Sequence, residues 1–181
     1  MHTGFQGQIH VIGEMQNRGL EPVQITSIRV NVFDSQDRLV SSGTAFHHLN
    51  VLQPKMSSCF DVALNVGADV GRIEIAELNS IPVPNTAPRL TVIRQQGSYD
   101  PTLRGYEVYG EVRNDDTVSV ALARVAATLH NAAGLPVGCL VDSLNNIDLA
   151  SGESSGFNMR TIGGDYTDVV SYTLQLDGTR Q

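Results

Sequence analysis

The chain has no tryptophan, only two cysteines and twelve basic side chains, and no apolar run near the roughly 18 residues that a membrane span needs. Each shortage excludes something. Without Trp there is no buried indole of the kind that marks antibody domains. Two cysteines are too few for a disulfide-dense scaffold. Nineteen acidic residues against twelve basic ones leave a formal charge of -7, a field that repels phosphate backbones, so nucleic acid is not an expected partner. Residues 1–13 lack the basic start and apolar core of a signal peptide, and no direct membrane insertion is expected of the segment. What remains is a globular composition, 41% hydrophobic over 181 residues, a length that permits one large domain or two small ones.

Self-similarity decides between them. Residues 9–62 align with residues 106–159 at a constant offset of 97 without a gap, and ten of the 54 pairs are identical. The identities include Val11, Gly13, Glu14 and Asn17 over Val108, Gly110, Glu111 and Asn114, and Leu52 and Phe60 over Leu149 and Phe157. The hydrophobic phase matches too, with Ile28, Val30 and Val32 over Val125, Ala127 and Leu129. An offset of 97 is too long for a solenoid repeat, whose periods run roughly 20 to 50 residues, so each copy reads as a small domain. Ile81 to Pro88 carries three prolines and is expected to be an extended connector. The division is therefore 1–80, first repeat; 81–88, linker; and 89–181, second repeat.

Within each copy, apolar residues alternate with polar ones over short windows, the sign of a strand with one buried face. Ile9, Val11, Gly13 and Met15 are expected to face a core, as are Tyr106, Val108, Gly110 and Val112. Second strands over Ile25–Phe33 and Leu122–His130 end at Asp34-Ser35-Gln36-Asp37 and Asn131-Ala132-Ala133-Gly134. There Asp or Asn can bond its own backbone, and the fourth residue tolerates positive φ, which is hairpin chemistry. Return strands over Leu39–Phe46 and Val137–Leu144 follow, then strands around Phe60 and Phe157, and closing strands over Arg72–Leu78 and Val169–Leu176. No helical periodicity persists, and the expected fold is all-β: two antiparallel β-sandwiches in tandem. A unit of this size buries about 60 to 65% of its unfolded surface, so contact between the copies is expected to matter for stability.

Tyr106 to Asn114, Val125 to Gly134, Leu149 to Ser154 and Phe157 together resemble an FxLYD-type domain. The naming segment departs from that pattern in both copies, reading Val32-Phe33-Asp34 and Leu129-His130-Asn131. The resemblance covers roughly residues 5–78 and 89–177. It implies that the two copies are immunoglobulin-like antiparallel β-sandwich domains in tandem, of the kind found in secreted or envelope-attached bacterial proteins, and it brings no catalytic residues and no cofactor.

Arg89 to Arg94 reads as the opening strand of the second copy, and subtracting 97 places its counterpart before Met1. Two readings stay open. Either the native chain extends upstream with that strand and an export signal or anchor, or the first copy does without it.

Candidate chemistry is sparse. Gly152-Glu153-Ser154-Ser155-Gly156 matches G-x-S-x-G, but a serine hydrolase built on Ser154 needs a strand-to-helix turn and a His later in the chain, and no His follows Ser154. His47-His48 is the only histidine pair, and neighbours on a strand face opposite ways, so no metal site is expected there. Asp115, Asp116, Asp142, Asp148, Glu153, Asp165 and Asp168 make calcium conceivable without the spacing of an EF-hand. Tyr99, Tyr109 and Tyr166 are the candidate platforms for a carbohydrate. Cys59 and Cys139 hold non-equivalent places in the repeat, so two free thiols are expected. The functional expectation is a non-catalytic extracytoplasmic module, secreted or in the cell envelope. It would act as a spacer or bind a protein through a strand edge or loops. Its alternatives are a carbohydrate- or calcium-binding module and, more remotely, the Ser154 hydrolase.

Overall fold

A computed structural model describes every residue except Met1 and residues 4–7, 46–48, 50, 68, 85–86 and 162–164. The histidine pair His47-His48 lies outside the described residues. The chain is all-β, with twelve antiparallel strands in four three-stranded sheets and no helix among the described residues. In the first half, β1 (His2–Thr3), β2 (Gln8–Gln16) and β5 (Ser57–Asn65) form one sheet in the order β1-β2-β5. There β3 (Val23–Phe33), β4 (Leu39–Ala45) and β6 (Arg72–Pro82) form another in the order β4-β3-β6. In the second half, β7 (Leu90–Asp100), β8 (Gly105–Asn114) and β11 (Ser154–Arg160) run β11-β8-β7. Its other sheet joins β9 (Val120–Asn131), β10 (Pro136–Ser143) and β12 (Val169–Arg180) as β10-β9-β12.

The alternation in the sequence is a burial alternation in space. Ile9, Val11 and Met15 of β2 are buried beside Phe60, Val62 and Leu64 of β5, and they meet Ile28, Val30 and Val32 of β3 in one apolar cluster. Tyr106, Val108 and Val112 of β8 meet Val125, Ala127 and Leu129 of β9 and Phe157 and Met159 of β11 in a second. Gly13 and Gly110 lie under the rings of Phe60 and Phe157, which fill the space a Cβ would need.

The repeat also extends to hydrogen bonds. Asp34 Oδ1 accepts from the amides of Gln36 and Arg38, and Asn131 Oδ1 accepts from those of Ala133 and Leu135, the same two offsets in each turn. The fourth turn residues, Asp37 and Gly134, have φ of 60° and 73°, as the sequence predicts. Asn17 Nδ2 donates to the carbonyls of Glu21 and Leu52, and Asn114 Nδ2 donates to those of Val118 and Leu149. Each asparagine ties the end of a core strand to the loop that crosses it, beside the matched bridges Val23–Leu52 and Val120–Leu149.

One boundary moves. β6 runs two residues into the expected connector, with Ile81 and Pro82 registered against Gln24 and Val23. Pro82 is tolerated because β6 is the edge of its sheet, where a missing N–H costs no ladder bond. At the other end, the Arg89 carbonyl accepts from the Asp115 amide, so the proline-rich stretch is held to the strands on both sides.

Candidate interaction surfaces

The two halves meet face to face. On β2 and β5 the residues that point away from the first core include His10, Ile12, Glu14, Cys59, Asp61 and Ala63. On β9 and β10 the corresponding set is Ala126, Thr128, His130, Cys139 and Val141. These faces pack together, with β10 against β2 and β5, and β5 against β9. Ala126 and Thr128, which point away from their own core, are buried as a result.

Cys59 and Cys139 are joined in a disulfide across this contact, with Cα atoms 5.5 Å apart. The expectation of two free thiols is thereby overturned. Non-equivalence in the repeat excludes a bridge inside either copy, but the two halves meet through different faces, so non-equivalent positions are the ones a bridge between them requires. The phase of the strands carried the missed signal. Cys59 alternates with Phe60, Val62 and Leu64, and Cys139 precedes Leu140, which puts both sulfurs on outer faces among apolar or small neighbours.

Polar groups ring the bridge. His10 Nδ1 lies 2.9 Å from Asp61 Oδ1, and His130 Nε2 lies 3.9 Å from Glu14 Oε2 in the opposite half. His10, Asp61, Ala63, Cys139 and Val141 line a groove of about 450 Å³ along the seam. Burial, then the negative charge of Asp61, push the Tyr166 phenol above its ordinary pKa, which places that ring near the same seam.

The other residues singled out in the sequence disperse. Ser154 opens strand β11 in register with Arg113, not on a strand-to-helix turn, so the geometry of a nucleophile elbow is absent. The acidic side chains act in turns and ion pairs. Glu153 accepts from the Ala150 amide and from Asn146, Asp142 from the Ser143 amide and Asp165 from the Thr167 amide, while Asp115 pairs with Arg113 at 2.6 Å. Among the described residues, no group of three His, Cys, Asp or Glu side chains could hold a metal ion. Tyr99 and Tyr166 pack against the second core, and Tyr109 alone stays exposed, on the outer face of β8 beside Arg94, Gln95 and Gln96.

The last surface is an edge. β8 is paired along its whole length, with β11 on one side and β7 on the other. Its counterpart β2 is paired with β5 throughout, but β1 reaches only Ile9 and His10, so from Val11 to Gln16 no strand lies on that side among the described residues. By the offset of 97, β1 corresponds to Tyr99 and Asp100, the last two residues of β7.

No protein-family model matches the chain, and no curated protein matches it. Function is therefore argued from the bridged seam and the open edge of β2.

Proposed function

We propose that the chain is a tandem pair of immunoglobulin-like β-sandwiches of the FxLYD type. In this reading it serves outside the cytoplasm, in a secreted or envelope protein, as a non-catalytic spacer that also carries a protein-binding edge. The observation that carries this reading is the Cys59–Cys139 bridge across the seam. Structural disulfides persist in oxidising compartments and are rare where thiols are kept reduced. A bridge between two separately cored halves also suits a spacer, because it restrains their relative orientation. The matched asparagine and turn hydrogen bonds support two copies of one unit, and the strand-like outer faces dominated by ion pairs suit a solvated surface.

The test is thiol trapping. Cells that make the protein are treated with a membrane-permeant alkylating agent before lysis, and the chain is analysed by mass spectrometry. The expected result is an unalkylated chain whose Cys59 and Cys139 peptides are released together only by reduction. Alkylation at both cysteines in the native compartment would overturn the extracytoplasmic assignment.

A further inference from the structure

The two halves use the same face of their unit in different ways. In the first half the outer face of β2 and β5 is the seam, and by the offset of 97 its Ile12, Cys59 and Ala63 correspond to Tyr109, Gly156 and Arg160 of the second half. There the face is open to solvent, with Gln96, Tyr109, Asn158 and Arg160 exposed. Glu107, Tyr109 and Glu111 follow one another at two-residue spacing on β8 and point away from the buried Val108 and Val112. Tyr109 is the one exposed aromatic ring among the described residues. An amide stands in register on each side of it, Gln96 on β7 and Asn158 on β11, and among the described residues neither side-chain amide is engaged by a protein group. Gly156 leaves room for a third, since a Cβ there would meet Asn145 Nδ2 at 3.1 Å. A hollow of about 370 Å³ lies beside the ring, lined by Arg94, Gln95, Gln96, Tyr109 and Gly110. The carboxylates of the face are matched, Glu111 by Arg94 at 2.8 Å and Glu107 by Arg160 at 3.0 Å. On a chain of net charge -7, the patch around Tyr109 is balanced.

We propose that this face binds a neutral oligosaccharide, laid across the strands with one sugar ring stacked on Tyr109. The site goes beyond the spacer and protein-binding reading and uses neither the bridge nor a strand edge. Its chemistry selects the occupant. Matched ion pairs leave no net local field to draw in an anion or a cation. A wholly apolar ligand would cover the amides and ion pairs around the ring without bonding them, at a cost in lost hydration. A sugar meets both conditions. Its C–H face covers the phenol ring, and its hydroxyls both donate and accept, as the side-chain amides do. Another protein domain is the occupant this face has in the first half, and the apolar Ile12, Cys59 and Ala63 that serve it there are replaced here by a phenol, a glycine and a paired guanidinium.

The experiment titrates the full oxidised chain, isotope-labelled for amide NMR, with cellohexaose, maltohexaose, mannohexaose and chitohexaose, and with an oligogalacturonate as the anionic control. Saturable shifts confined to amides of β7, β8 and β11 are expected with at least one neutral sugar, and none with the oligogalacturonate. Tyr109→Ala is expected to weaken binding at least about tenfold and Gln96→Ala/Asn158→Ala about three- to tenfold, whereas Tyr109→Phe, which keeps the stacking ring, should stay within about threefold of the parent. Every changed side chain is exposed, so the variants are expected to keep the parent circular dichroism and melting midpoint. Leu20→Ala, at a fully exposed loop position, is expected to leave binding unchanged. Absence of binding by all the neutral sugars overturns the proposal, and so do undiminished binding by Tyr109→Ala and equal binding of the oligogalacturonate. A dimer that Tyr109→Ala dissociates, with no sugar bound, gives the face to a second copy and likewise overturns it. Thiol trapping reads a separate fact: unalkylated cysteines with no sugar binding sink this site alone, and alkylated cysteines with sugar binding sink the compartment alone.

Discussion

The Asn114 amide donates to the carbonyls of Val118, Leu149 and Ala150, and its Oδ1 accepts from the buried Asp116 amide at 2.9 Å. Asn114→Ala removes these bonds and takes from the buried Asp116 amide its acceptor, and is expected to cost about 2–3 kcal/mol in urea denaturation. Asn114→Asp, which loses the donors and keeps the shape, should do no better at neutral pH. Gly110 tests packing instead. A Cβ there would stand 2.3 Å from the Arg94 carbonyl oxygen and 2.8 Å from the Phe157 ring, so Gly110→Ala is expected to destabilise by roughly 1–3 kcal/mol. Asp116 tests charge. Burial would raise its carboxyl pKa, but hydrogen bonds from the Thr117 and Arg89 amides and the charges of Arg180 and Arg89 outweigh it and hold the carboxyl below the usual value. A carboxyl lowered on folding stabilises above its unfolded pKa of about 3.9, and that stability is lost as pH falls through the lower folded value. Asp116→Asn should therefore lower the melting midpoint at pH 7, with the gap to the parent protein closing as the pH is lowered through the folded carboxyl pKa. At this scale the sequence was legible where chemistry is local. The bonds of Asp34 and Asn131 to their own turns follow from residue type, but those of Asn114 to Leu149 depend on a loop 35 residues away and left only an identity in the repeat.

Strands were readable because a buried face writes a two-residue period, and β2, β3, β8 and β9 fall where that period predicts. Their ends were less so. β6 continues to Pro82 since an edge strand accepts proline, and periodicity contains nothing about which strand is an edge. The open side of β2 was foreshadowed by the repeat arithmetic. Hydrogen exchange separates β2 from β8 directly. Amides of Val11–Gln16 that face the open side are expected to exchange faster than their counterparts in Val108–Arg113, which β7 protects. Equal rates in the two strands would mean that the open side of β2 is already occupied.

For the whole molecule, the bridge closes a span of 80 residues, worth at most about 4–5 kcal/mol in a chain-entropy treatment. Because each half has its own apolar cluster, that stabilisation falls on the seam. A Cys59→Ser/Cys139→Ser protein is expected to split a single calorimetric transition into two and to raise the radius of gyration measured by X-ray scattering. A single unchanged transition would mean that the packed faces alone hold the halves together. The seam was the least legible feature in the sequence. Ala126, Thr128 and Val141 look like any small strand residues, and only a partner surface reveals that their outward side is covered. That partner surface is not the same surface on the other copy. The contact joins the β2–β5 face of one repeat to the β9–β10 face of the next, a heterologous, head-to-tail arrangement that, if repeated, would generate a ring or an open filament rather than a two-fold pair. The bridge itself is not repeated. Gly156 stands where the second repeat would need its Cys59 and Ser42 where the first would need its Cys139, so neither outer face can form the same bridge again. Those faces carry Glu107, Glu111 and Arg160 on one side and Arg29, Glu74 and Glu77 on the other, largely in ion pairs. Residue choice thus confines the bridge to the one pair of faces that meet inside the chain.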